Sequence, residues 1–225
     1  MTPGRPAFSS LTIAAEKPET ALHTFTTLLG VDPAPVEGAA EFRIGAGRLR
    51  VEAARANATG LVRAGFVSQE AESPVPTLSG LEVVFERALP PASLPNTSAV
   101  RFDHVAIAVV NLAAACEGWS RVLGGPPDER GVHPLGSFEM ARFLLGDQMV
   151  ELVSPLPGVP SPALRRLQSH GDGPIAMALV APDPPAAAER LESAGARVVR
   201  QPPHIFVHPR ETGGVLVQLT PRLEH

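Results

Sequence analysis

The stretch FDHVAIAVVNLAAACEGWSRVLGG, Phe102–Gly125, decides the fold. His104, Ala106 and Ala108 alternate with Val105, Ile107 and Val109, the period-two pattern of a half-buried strand over Phe102–Val110. Asn111 offers a side-chain acceptor to the first free backbone N–H groups of a helix. Leu112, Cys116, Trp119, Val122 and Leu123 follow at helical spacing, and Gly124-Gly125 ends the helix. Ser137–Leu145 and Gln148–Val153 read as two strands around a Gly146-Asp147 turn, and Arg130–His133 as a shorter one. The unit is β-α-β-β-β.

Working outward, the unit recurs on both sides. Downstream, Pro174–Val180 is a strand, and Asp183 caps a helix with Pro184 in its first position. Ala187, Ala188, Leu191 and Ala194 line one helix face and Gly195 closes it. Arg197–Arg200, His204–His208 and Val215–Thr220 follow as strands. Upstream, FSSLTIAAEKPETALHTFTTLLGV, Phe8–Val31, repeats the strand-then-helix pattern with Ser10 in the place of His104. Glu41–Ile44 and Arg48–Ala53 pair around Gly45-Ala46-Gly47, and aligning Phe42 with Phe143 sets Arg50 against Glu151. The remainder, roughly 60–88, holds two strand-like pieces, Leu61–Val67 and Leu81–Glu86, and no clear helix. It reads as an eroded fourth copy. The expected organisation is a degenerate N-terminal half over 1–88, a Pro-rich linker over 89–101 and a two-unit domain over 102–222. The closing 223–225 resembles the start of a tag.

Composition bounds the partners. The chain has 225 residues, is 44% hydrophobic and carries a formal net charge of −4, with no basic excess to suggest nucleic acid. No apolar run approaches the roughly 20 residues of a membrane span. The N-terminus lacks the order of a signal peptide, and the single cysteine, Cys116, allows no intrachain disulfide, so a cytoplasmic location is expected.

Four stretches, FDHVAIAV from Phe102, VELVSP from Val150, SPALRRLQSHGDGPIAMALV from Ser161 and HPRETGGVLVQLTP from His208, resemble methylmalonyl-CoA epimerase. The paired units resemble the wider vicinal oxygen chelate superfamily, to which glyoxalase I, extradiol dioxygenases and bleomycin-resistance proteins also belong. The resemblance implies an α+β fold of repeated βαβββ modules, with curved mixed sheets forming a cup and helices on the outside. It implies metal ligands at His104, Glu151, Ala176 and Gln218, where the family usually has His, Gln or Glu, His, and Glu. Two are kept, Ala176 brings no donor, and Gln218 brings only a neutral oxygen, so a divalent metal and its absence both stay open. His204 and His208 lie about 13 Å apart along one strand and cannot share an ion. By the same resemblance Glu139 aligns with a base, and its other reading is an exposed strand carboxylate.

Ala106, Ala176 and Ala178 share the face of His104. They either leave room for a ligand or pack against another sheet. In the N-terminal copy Arg50 reads as a carboxylate- or phosphate-binding side chain or as a solvated surface arginine. Three functions follow: an isomerase or lyase working on a small carbonyl compound or acyl thioester through an enolate, with His104 and Glu151 holding a metal or working as an acid–base pair and Glu139 assisting; a small-molecule-binding protein without chemistry; and a structural relic. The extradiol iron site, with two histidines and one carboxylate, would need the donors missing at 176 and 218. A monomer acting as its own pseudo-dimer is the expected state.

Overall fold

In the computed structural model, residues 5–55, 58–68, 74–87, 98–133 and 136–221 are described. Most of the expected linker and the tag remnant at 223–225 lie outside them.

The first copy comprises β1 (Phe8–Ala15), α1 (Pro18–Leu29), β2 (Ala34–Val36), β3 (Ala39–Ile44) and β4 (Gly47–Ala53). The second has, among its described residues, the strands β5 (Gly60–Ser68), β6 (Pro74–Leu78) and β7 (Leu81–Arg87). The third runs β8 (Arg101–Ala108), α2 (Leu112–Leu123), β9 (Glu129–Val132), β10 (Phe138–Leu144) and β11 (Met149–Pro155). An added helix, α3 (Pro162–His170), precedes the fourth: β12 (Gly173–Val180), α4 (Pro184–Ser193), β13 (Val198–Gln201), β14 (His204–Val207) and β15 (Leu216–Thr220).

Each copy pairs its first and last strands in parallel, as in β8 with β11 and β12 with β15. Copies join through antiparallel first strands, β1 with β5 and β8 with β12. The result is a seven-stranded sheet, β2-β3-β4-β1-β5-β7-β6, and an eight-stranded sheet, β13-β14-β15-β12-β8-β11-β10-β9. The short strands β2 and β6 contain Pro35, Pro74 and Pro76, which cannot donate to a ladder, and both lie at the edges of their sheet.

The helices start where capping chemistry dictates. Asn111 Oδ1 accepts the Ala114 N–H at 3.0 Å, and Asp183 Oδ1 the Ala186 N–H at 2.9 Å. Helix α2 ends at Gly124, whose φ of 78° is open to glycine without steric cost. Helices α1, α2 and α4 cover the faces that carry Leu11 and Ile13, Val105 and Ile107, and Met177 and Leu179, and all of these residues join one continuous core. These three helices lie outside each curved sheet, as expected, with one face of each on the core and the other exposed.

That core is shared by the two sheets. Trp119 of α2 meets Phe66 of β5 edge-on at 6.4 Å, and Phe66 stacks on Phe8 at 4.9 Å. The backbone N–H of Gly60 bonds the Gly213 carbonyl at 2.9 Å. A Cβ on Gly213 would lie 2.8 Å from Ile13 and 2.9 Å from Ala15, so the loop before β15 approaches β1 as only glycine permits.

Helix α3 lies on the other face of its sheet. Ala163 and Leu167 pack on Ala108, Met140 and Val153, in a small cluster that also takes in Phe138 and Ile175. Its start was written in the sequence: Ser161 Oγ accepts the Leu164 N–H at 3.1 Å and Pro162 takes the first turn.

Candidate functional site

Partners opposite one another in a ladder share a face, so the register assigns the concave side of the eight-stranded sheet. Glu151 lies opposite Ala106, and Met149 opposite His104. Ala176 lies opposite Ala106, and Gln218 opposite Ala178. Across the hairpin, Arg142 lies opposite Glu151 and Glu129 opposite Arg142. His104, Ala106, Glu151, Ala176, Ala178 and Gln218 therefore occupy one face together with Arg142 and Glu129. His104 is 7% exposed, Glu151 5% and Gln218 9%. Ala178 is fully buried, Ala106 nearly so, and Ala176 only in part.

Arg142 is the residue the sequence reading missed, and it organises the site. Its Nε donates to Glu151 Oε1 at 2.8 Å and its Nη1 to Glu129 Oε2 at 3.1 Å. Burial, the largest single influence, pulls the guanidinium pKa down, but the bonds and charges of Glu151 and Glu129 outweigh it and hold the pKa above the ordinary value. His133 Nε2 approaches Glu151 Oε1 at 3.9 Å, its ring 4.5 Å from that of Phe138. The hairpin turn at Gly146-Asp147 could have revealed Arg142, because counting back from it pairs 142 with 151.

His104 Nδ1 is 3.2 Å from Oδ2 of the fully buried Asp103. A proton placed on Nδ1 and given to that carboxylate makes Nε2 the basic nitrogen. Gln218 Nε2 is 3.2 Å from His204 Nδ1.

Of the four positions the family uses for a metal, Glu151 has Oε1 engaged by the Arg142 guanidinium, Gln218 contacts His204 through its amide nitrogen, and Ala176 brings no donor. Among the described residues no three His, Cys, Asp or Glu side chains are grouped to hold a metal.

Glu139 does not join the site. It lies opposite Ser154, on the other face of β10 from Arg142, and is exposed in a shallow hollow of about 410 Å³ with Leu112, Ala113 and Arg130. A shift of one residue in a strand reverses the face, and the alignment that chose Glu139 was not tied to the hairpin register. Arg50 belongs to the other sheet, opposite Thr12 and Glu41. There Ser9 and Ser10 donate to Glu86 at 3.0 Å each, and Arg48 pairs with the same carboxylate. The counterpart of His104 is thus fixed in an ion-pair network.

The glyoxalase-like domain family matches residues 102–216. The chain belongs to the vicinal oxygen chelate superfamily. Within the superfamily, it is 30% identical to the mitochondrial methylmalonyl-CoA epimerase of Homo sapiens over 178 residues, 75% of this chain and 96% of that one. It is 33% identical to the ethylmalonyl-CoA/methylmalonyl-CoA epimerase of Cereibacter sphaeroides over 132 residues, 53% of this chain and 96% of that one. A likeness of fold extends through both sheets. A mutant of 4-hydroxymandelate synthase from Streptomyces coelicolor superposes with a TM-score of 0.72 over 96% of this chain and 92% of that one, at 16% identity. No helix among the described residues is long and apolar enough to cross a membrane.

Proposed function

We propose that the concave face of the eight-stranded sheet binds an acyl thioester or a similar small carbonyl compound, and that His104 moves the proton on the carbon beside the carbonyl. The observation that carries the reading is the Arg142–Glu151 bond, which sets a fixed cation beside the position where the family has a metal ligand. In the proposed step the α-proton passes to His104 Nε2, its bonding pair becomes an enolate, and the enolate oxygen faces the Arg142 guanidinium. His104 gives the proton up to solvent, and a proton delivered from water to the opposite face of the enolate completes an isomerisation. A preorganised cation at the developing oxyanion and a positioned base together suffice for such chemistry. Glu129 and Glu151 keep Arg142 charged and oriented, and Asp103 orients the imidazole. On this reading the metal site is degenerate, and the arginine supplies the positive charge. The chain acts as a monomer whose two sheets stand in for two subunits; the shared core supports this.

The test is exchange of the α-proton of methylmalonyl-CoA in D₂O, followed by proton NMR, because the relatives are named for that substrate. Exchange should persist in EDTA and fall by about 10²–10⁴ in His104→Ala, the usual contribution of a general base, with circular dichroism confirming the fold. Exchange abolished by EDTA, or unchanged in His104→Ala, overturns the proposal.

Ala176, only partly buried and without a donor where the family has a ligand, favours a second reading, a ligand-binding protein that performs no chemistry. Saturable acyl-CoA binding with no exchange selects it.

A further inference from the structure

At the α3 end of the concave face, Ile175 and Leu216 border a cleft of about 660 Å³. Leu216 lies opposite Ala176, so the cleft begins one step from the site described above. Its other wall comes from the seven-stranded sheet, with Thr59, Gly60, Leu61 and Val62. Among the described residues, Arg165, Arg166, His170 and His208 line it against the carboxylate of Asp172. A second cleft of about 470 Å³, with Lys17, Arg210 and Glu16, shares Thr59, Pro209 and Gly214 with the first and extends it.

Arg166 gives this cleft its character. Its Nη1 is buried and has no hydrogen-bond partner among the described residues. The guanidinium lies against Gly173, where a Cβ would collide with it. Burial lowers the pKa of Arg166, and Asp172 only partly offsets the effect. Asp172 is itself committed, accepting the Val110 N–H at 2.9 Å. His208 Nδ1 accepts the Arg210 N–H at 3.2 Å, which makes Nε2 its donor. A desolvated guanidinium with an unmade bond, a second arginine and a histidine donor are what a phosphoryl oxyanion needs. The apolar side, Leu61, Val62, Ile175 and Leu216, suits the organic part of a phosphate ester.

We propose that this cleft is a binding site for the phosphate groups of a phosphorylated organic anion, held by Arg165, Arg166 and His208. The site stands independently of the chemistry proposed for His104.

Isothermal titration of the full chain with inorganic diphosphate, ADP, coenzyme A and pantetheine tests it, at constant ionic strength. Diphosphate and ADP should bind saturably and raise the melting temperature, whereas pantetheine should not. Arg166→Gln should weaken binding by about tenfold or more, the usual cost of a lost charge-assisted bond. Arg165→Gln, at an exposed helix position, repeats the test should Arg166→Gln fold poorly. Binding of coenzyme A tighter than that of ADP and diphosphate assigns the phosphates to an acyl-CoA ligand. Equal or weaker binding assigns them to a separate phosphorylated ligand, and either result supports the site. Absence of saturable binding by any phosphorylated probe, or unchanged binding in the foldable arginine variants, overturns it.

Discussion

A guanidinium and a carboxylate largely shut off from water, such as Arg142 and Glu151, depend on each other. Arg142→Met strands the Glu151 charge and should cost about 3 kcal/mol, the scale for breaking a buried pair from one side. Glu151→Gln leaves Arg142 bonded to Glu129 and should cost clearly less; denaturant unfolding of both variants makes the comparison, and equal losses would contradict the role given to Glu129. His208 offers a pH test. Burial, then Arg197 and Arg210, depress its pKa below the usual 6.5, with Glu211 opposing. The unfolded chain therefore takes up this proton at higher pH than the folded one. The folded state loses stability as pH falls below about 6.5, and the loss levels off below the folded pKa. The slope of the melting temperature over that range should flatten in His208→Gln. The sequence revealed the parity of His104 and Glu151, because strand alternation is local, and the family resemblance added Gln218. It did not reveal Arg142, because its role depends on pairing across a hairpin, nor the burial of Ala178, which depends on everything stacked above it.

Among the elements, the strands most legible in the sequence were those with strong alternation and clear turns. Gly173–Val180 differs from its expected span by one residue, and β9 and β13 are shifted by one. The additions, β2, β6 and α3, are short. Proline obscures the two edge strands, and nine residues give α3 too little periodicity to stand out. What identifies α3 is its cap. Ser161→Ala should cost about 1 kcal/mol, the usual value of a lost N-cap, read as a shift in the denaturant midpoint. The glycine after α3 has a separate part. Gly173→Ala places a methyl group where the end of the flexible Arg166 side chain now lies, so the guanidinium moves while the backbone stays. The expected outcome is near-parental stability with weakened diphosphate binding; unchanged binding would show that the position of Arg166 does not matter.

At the scale of the whole molecule, β5, β6 and β7 form a copy that has no helix among its described residues, and the neighbouring half supplies the cover. Trp119 meets Phe66, its Nε1–H reaches Ser79 Oγ at 3.3 Å, and a Cβ on Gly118 would lie 2.8 Å from Leu78. Trp119→Ala should cost about 4 kcal/mol, as for other large-to-small core changes, and should lower the stability of both sheets together. Thermal unfolding followed by near-ultraviolet dichroism and by hydrogen exchange should show one transition in the parent and in the variant. Two separated transitions would mean that the shared core does not couple the halves. The borrowed cover also imposes an order on synthesis. Phe66 leaves the ribosome 53 residues before Trp119, an interval of several seconds at about 5–20 residues per second. For that time the nascent seven-stranded sheet presents an uncovered aromatic face, a surface on which a holding chaperone would act before the rest of the chain arrives.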